Sequence, residues 1–201
     1  YRFLRGKINM PWLTGMFSVL WVSLSVYLIS SLLQLRKKSM AAVAALFGTA
    51  ISVTLLNATY NDKADLFTCA MLLALLGACA VRRCRRPWLG VLLCGGCLCL
   101  SMGLYQGYIE FAIGLLLLCL LRDCLTKELP WADYLRRGFT AVAALLLGGV
   151  LYAVSMKAVL AYKHLELIDS YNGLQQMGRA RVADYLARLP GAYKQVFTTL
   201  L

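Results

Sequence analysis

Tyr105-Gln106-Gly107-Tyr108-Ile109-Glu110 sets two phenols, an amide and a carboxylate side by side between two apolar stretches. Upstream, Asn61-Asp62-Lys63-Ala64-Asp65 adds a second group of carboxylates with an amide and an ammonium. A carboxylate can accept the proton of an attacking hydroxyl. A lysine can stabilise negative charge on a departing group. Asp65 also suits a structural role, because it precedes an apolar run and a helix N-terminus favours an acid. Glu110 lies among Tyr105, Gln106 and Tyr108 at the edge of an apolar run, where a carboxylate is expected to face protein or water. Lys157 lies a few residues inside another apolar run. It can snorkel to the interface, pair with Glu110, or meet a lipid phosphate.

Other chemistry is excluded by residue type. His164 is the one histidine, so neither a Ser-His-Asp triad nor a histidine metal cluster can be assembled. No Gly-rich loop ending in Lys-Ser/Thr is present to cradle a phosphate. Cys94-Gly-Gly-Cys97 has metal-ligand spacing but lies within an apolar run without a histidine, so no metal and no other cofactor is expected. The eight cysteines imply no disulfide and read as small, soft hydrophobes.

The elements that position these residues follow from composition. The chain has 201 residues, 61% of them hydrophobic, well above the usual share for a soluble domain. The net charge of +12 points to no nucleic acid, because the basic residues stand at the ends of apolar runs. Arg36-Lys37-Lys38, Arg82-Arg83 with Arg85-Arg86, and Arg136-Arg137 are topology charge, with anionic lipid headgroups as the simple partner. The expected fold is all-α: a polytopic bundle of about six transmembrane spans over residues 1–162. The spans run from about Trp12 to Leu35, Met40 to Leu56, Leu66 to Val81, Leu89 to Gly103, Phe111 to Leu121, and Gly138 to Tyr162. Residues 163–201 form an extracytoplasmic segment. Within it Val182, Leu186 and Leu189 make the apolar face of an amphipathic helix.

The stretch from Leu89 to Leu121 decides the topology. As one helix it would be about 50 Å long, against roughly 30 Å of hydrocarbon. A break at the Tyr-Gln segment makes it two spans and puts all three basic clusters on one side of the membrane, the cytoplasmic side. One continuous helix would send Arg136-Arg137 outward. The Asn57–Asp65 loop and the Tyr105–Tyr108 turn then share the outer face. A plain hairpin turn with interfacial tyrosines is the structural alternative to a site there. Ala41/Ala45 and Ala144/Gly148 have the spacing that lets helices approach closely.

Three stretches together resemble a family. They are Asn57-Ala-Thr-Tyr-Asn-Asp-Lys-Ala-Asp-Leu-Phe67, Leu100-Ser-Met-Gly-Leu-Tyr-Gln-Gly-Tyr-Ile109 and Tyr171-Asn-Gly-Leu-Gln-Gln-Met-Gly178, each beside an apolar span. In this order they are similar to the bacterial type II Gtr membrane glucosyltransferases, over nearly the whole chain. Gly107 departs from the pattern, since many members carry Pro or Ala there, and the outer loop matches loosely apart from Asp65. The resemblance implies a GT-C-like enzyme of the cell membrane with its site on the outer face. The donor would be a prenyl-phosphate-linked sugar, glucose by family, and the acceptor a surface glycan. Asp65, Asp62 and Glu110 are then the catalytic candidates. Tyr105, Gln106, Tyr108, Asn61, Lys63, Lys157 and Tyr171 are the candidates for binding substrate. The class usually keeps its principal acidic residue in the first outer loop, which would fall before Tyr1, so this stretch alone is expected to be inactive. The competing reading is a transporter or flippase subunit of a polysaccharide pathway. Such a protein keeps its polar groups near the bilayer middle, whereas here they stand at its outer boundary.

Overall fold

The computed structural model describes residues 11–35, 37–49, 63–126, 130–164 and 191. The chain divides into two compact units, Tyr1–Met156 and Lys157–Leu201, and the architecture below is that of the first. Helix α1 is Pro11–Leu33, α2 Lys37–Thr49, α3 Ala64–Arg83, α4 Pro87–Leu104, α5 Ile109–Thr126 and α6 Trp131–Lys163. One 3-10 turn, Gln106–Tyr108, separates α4 from α5. The described residues contain no strand. The all-α fold expected from composition is therefore observed. Four of the helices, α1, α3, α4 and α6, are long and apolar enough to cross a membrane. Helix α5 has a similar apolar middle, but Glu110, Arg122 and Asp123 crowd its ends.

Helix α3 is the centre of the packing. Its first turn carries Asp65 and its last turn Arg82 and Arg83, each sign matched to the end of the helix dipole it occupies. Cys84 is extended and ends the helix, and Pro87 opens α4 in the first-turn position where a missing N–H is harmless. The two helices run antiparallel at close range. A Cβ at Gly90 would come within 3.0 Å of the Ala80 carbonyl, and one at Gly77 within 3.3 Å of Cys94. Ser101 Oγ donates to the Ala70 carbonyl at 2.6 Å, which fixes the register at the far end of the pair. Cys94 is thus a fully buried packing residue against α3.

Helix α5 returns beside α3 with Ala112, Leu115, Leu116, Cys119 and Asp123 on its buried face. Asp123 is 1% exposed and accepts from both Arg82 and Arg137, the latter at 2.5 Å. The ends of α3 and α5 and the start of α6 are tied there. Arg122 donates to the Leu32 carbonyl at 2.9 Å and to Gln34, and Arg83 donates to Ser31 Oγ at 2.6 Å. These bonds bring the end of α1 to the same place. Gln34, at φ 51°, takes the left-handed conformation that commonly closes a helix, and Leu35 N–H bonds the Ser30 carbonyl at 3.0 Å. Gly148 of α6 sits on Leu98, where a Cβ would come within 2.7 Å, so the Ala144/Gly148 pair is a contact as its spacing suggests. Ala41 and Ala45 are exposed. On α6, Phe139, Val142, Leu146, Val150 and Val154 form an exposed apolar stripe, the surface a lipid-facing helix presents.

The reversal between α4 and α5 follows from these contacts. Because α4 runs against α3 and α5 runs with it, the turn lies at the end of the bundle opposite Arg82 and Asp123. The two-helix reading of Leu89–Leu121 is therefore the observed one. Met40 to Leu56 is helical as far as Thr49. The rest of that span, the Asn57–Asp62 loop and the amphipathic stretch ending at Leu189 lie outside the described residues. Asp123→Ala is expected to lower stability by about 3 kcal/mol, since it strips two half-buried arginines of their shared anion. Thermal unfolding in detergent, followed by circular dichroism, measures this, and an unchanged midpoint would show that the ion cluster is dispensable.

Candidate functional site

The chain breaks its helix at Tyr105, which is extended at φ −158° and ψ 118°, and resumes it at Ile109. Tyr105 N–H still bonds the Ser101 carbonyl at 2.8 Å, so the break leaves α4 closed. The turn is held by aromatic rings meeting edge to face. Phe67 packs on Tyr105 with centroids 4.9 Å apart, Tyr105 on Tyr108 at 5.0 Å, and Tyr108 on Phe111 at 5.3 Å. Phe67 belongs to α3 and Phe111 to α5, so the ladder fastens the turn to both neighbours. A Cβ at Gly107 would stand 2.7 Å from the Tyr105 ring. Glycine there is what lets that ring fold back over the turn.

The expected site residues divide by accessibility. Tyr108 is buried, and its burial, with Tyr105 beside it, pushes the hydroxyl up to about 12. It therefore stays protonated and able to donate near neutral pH. Gln106 is exposed and donates through Nε2 to the Tyr152 hydroxyl of α6 at 2.5 Å. Glu110 is exposed in the first turn of α5. Asp65 is 1% exposed, with Oδ1 accepting from the Leu66 N–H at 3.0 Å, at the start of α3 beside Lys63. Its position fits the helix-start role, and its burial separates it from Glu110 in kind. Phe67 places the start of α3 against the turn, so Lys63, Asp65, Tyr105, Gln106, Tyr108 and Glu110 belong to one end of the bundle. Lys157 is exposed and belongs to the second unit. Asn61, Asp62 and Tyr171 lie outside the described residues.

A groove leads away from the turn. Its volume is about 580 Å³, with apolar walls that include Ile29, Val43, Leu46, Leu75 and Leu118. Tyr105, Tyr108 and Glu110 line it at the turn, and Leu33, near the end of α1, lines it as well. Along α5 its lining runs from Glu110 to Leu118, about half of the eighteen-residue helix.

The comparison with protein families is decisive at this point: the model of the glucosyl transferase GtrII family matches residues 1–201, the whole chain. The chain belongs to that family. It is a membrane glycosyltransferase of the glucosyltransferase kind, and the resemblance carried by the three polar stretches is borne out. No curated protein and no solved structure matches it.

Two residues escape a reading of the sequence, Tyr152 here and Asp123 at the opposite end of the bundle. Tyr152 lies in an unbroken apolar helix, and nothing in its neighbours marks it as the partner of Gln106. Asp123 continues the stripe of Ala112, Leu116 and Cys119 by one further turn, but nothing in its neighbours marks the arginines it meets. Gly107→Ala is expected to leave the fold intact, because the ring it meets can swing away, while releasing Tyr105 from the ladder. Tyrosine fluorescence quenching by a soluble quencher should rise in the variant, with the unfolding midpoint changed by no more than the equivalent of about 1 kcal/mol. Unaltered quenching would mean that the ring is not held by this contact.

Proposed function

We propose that this glycosyltransferase moves glucose from a prenyl-phosphate-linked donor to a surface glycan, at the outer face of the cell membrane. The observation that supports the reading is the groove: an apolar cavity of about 580 Å³ whose lining includes Tyr105, Tyr108 and Glu110 of the turn. A prenyl chain suits such walls, since burying each methylene contributes about 0.8 kcal/mol. The polar head of the donor then rests at the turn.

In this scheme the acceptor hydroxyl attacks the anomeric carbon of the sugar. The bond from that carbon to the phosphate oxygen breaks, and the prenyl phosphate departs. Glu110, the accessible carboxylate among the described residues of this end, takes the hydroxyl proton. Lys63 stabilises the charge gathering on the phosphate. Gln106, Tyr105 and the protonated Tyr108 hold sugar hydroxyls. Asp65 fixes the start of α3 and with it Lys63. Asn61 and Asp62, next to Lys63 in sequence, are expected to add sugar contacts on their chemistry alone. Polar groups gathered at a bundle end favour an enzyme over a transporter, which needs them midway.

Glu110→Gln is expected to cut transfer about a hundredfold while leaving the protein folded. Transfer of labelled glucose from synthetic prenyl-phosphate glucose, in membranes bearing the protein and its glycan acceptor, measures this. Transfer at the parent rate would remove Glu110 from the chemistry.

A further inference from the structure

The opposite end of the bundle carries a second cavity, of about 540 Å³, between the α3–α4 connection and helices α5 and α6. We propose that it binds the phosphate of an anionic membrane lipid. Arg82, Arg85, Arg136 and Arg137 line it. Among the described residues two carboxylates answer these four guanidinium groups. Asp123 is shared by Arg82 and Arg137, and Asp133 pairs with Arg136 at 3.1 Å. Arg85 has no ion pair among the described residues and is exposed at the rim. The cavity therefore keeps an excess of positive charge even with every neighbouring described carboxylate counted.

Its geometry is that of an anion site. Buried Asp123 holds Arg82 and Arg137 in place, so the guanidinium groups do not have to be ordered by the ligand. Their planar forks match phosphate oxygens in pairs. Pro87, on the cavity wall, is the first residue of the eighteen-residue helix α4. That helix has no side-chain cap at Arg86 and no acid in its first turn, so its dipole and first N–H groups favour an anion there. Val81, Leu116, Leu120 and Ala141 add apolar side chains to the same lining. Apolar side chains beside the cationic ones suit a phosphate that carries hydrocarbon chains better than a free one. The site is separate from the Tyr-Gln turn and does not depend on the sugar-transfer scheme.

The test uses the whole chain, purified in neutral detergent, with native mass spectrometry reading bound lipid. The probes are phosphatidylglycerol, phosphatidylcholine with the same acyl chains, and inorganic phosphate as competitor. Phosphatidylglycerol is expected to bind in preference to phosphatidylcholine. Arg85→Gln with Arg136→Gln should weaken its binding about thirtyfold, on roughly fivefold for each basic residue at an anionic lipid surface. Arg86→Gln removes the same charge outside the cavity and should cost less than Arg85→Gln. Arg85→Lys with Arg136→Lys should retain most of the binding, and circular dichroism should show each variant folded. Failure of millimolar phosphate to displace the lipid supports a lipid headgroup as the ligand. Equal affinity for the two lipids, equal losses in Arg86→Gln and Arg85→Gln, or phosphate binding without a preference for phosphatidylglycerol would each overturn the proposal.

Discussion

A single buried carboxylate organises this bundle. Asp123 is almost wholly withdrawn from solvent, and a charge in that position persists only when it is paired. Arg82 and Arg137 both reach it, one from the end of α3 and one from the start of α6. Arg122, the residue before it, holds the end of α1. Four helix ends thus meet through two adjacent positions. Once α3 and α5 are pinned with the same direction, the chain between them has to run back and turn. The turn can lie only at the other end. The fixed cluster at one end and the polar break at the other are consequences of one constraint.

The two ends are built by different physics. At the arginine end the helices are joined by charge, and the cost of burying one anion is offset by two cations and nearby hydrogen bonds. At the turn end the join is aromatic, with Phe67, Tyr105, Tyr108 and Phe111 in a chain of edge-to-face contacts. That arrangement frees Glu110 and Gln106 from structural duty within the ladder and leaves them exposed. The apolar groove along α5 opens beside the turn and is lined by Tyr105, Tyr108 and Glu110 there. In the proposed function it carries the hydrocarbon chain of the donor while the turn handles the sugar.

Much of this was legible in the residues. The lengths of the apolar runs and the positions of the arginines required a break near Tyr105 and predicted opposite ends for the turn and Arg82. Membrane physics makes that inference strong, since span length and loop charge obey few rules. The Ala144/Gly148 spacing marked a true contact, while Ala41/Ala45, with the same pattern, is exposed. Small residues permit close approach but do not by themselves bury a helix face. The membership of the family was carried by short polar stretches. Side-chain partners across the bundle were not legible. Gln106 with Tyr152, and Asp123 with Arg82, are separated by 46 and 41 positions, and they meet through helix packing that no local pattern encodes.

The opposition of the two ends is the claim on which the topology, the groove and both sites rest. Labelling of single cysteines in a cysteine-free chain, in intact cells with a membrane-impermeant maleimide, tests it most directly. A cysteine in place of Gln106 is expected to react from outside. A cysteine in place of Arg85 is expected to react only after the membrane is opened. Equal reaction of both from the same side would contradict the reversal between α4 and α5 as a membrane topology, and with it the placement of the sugar-transfer site.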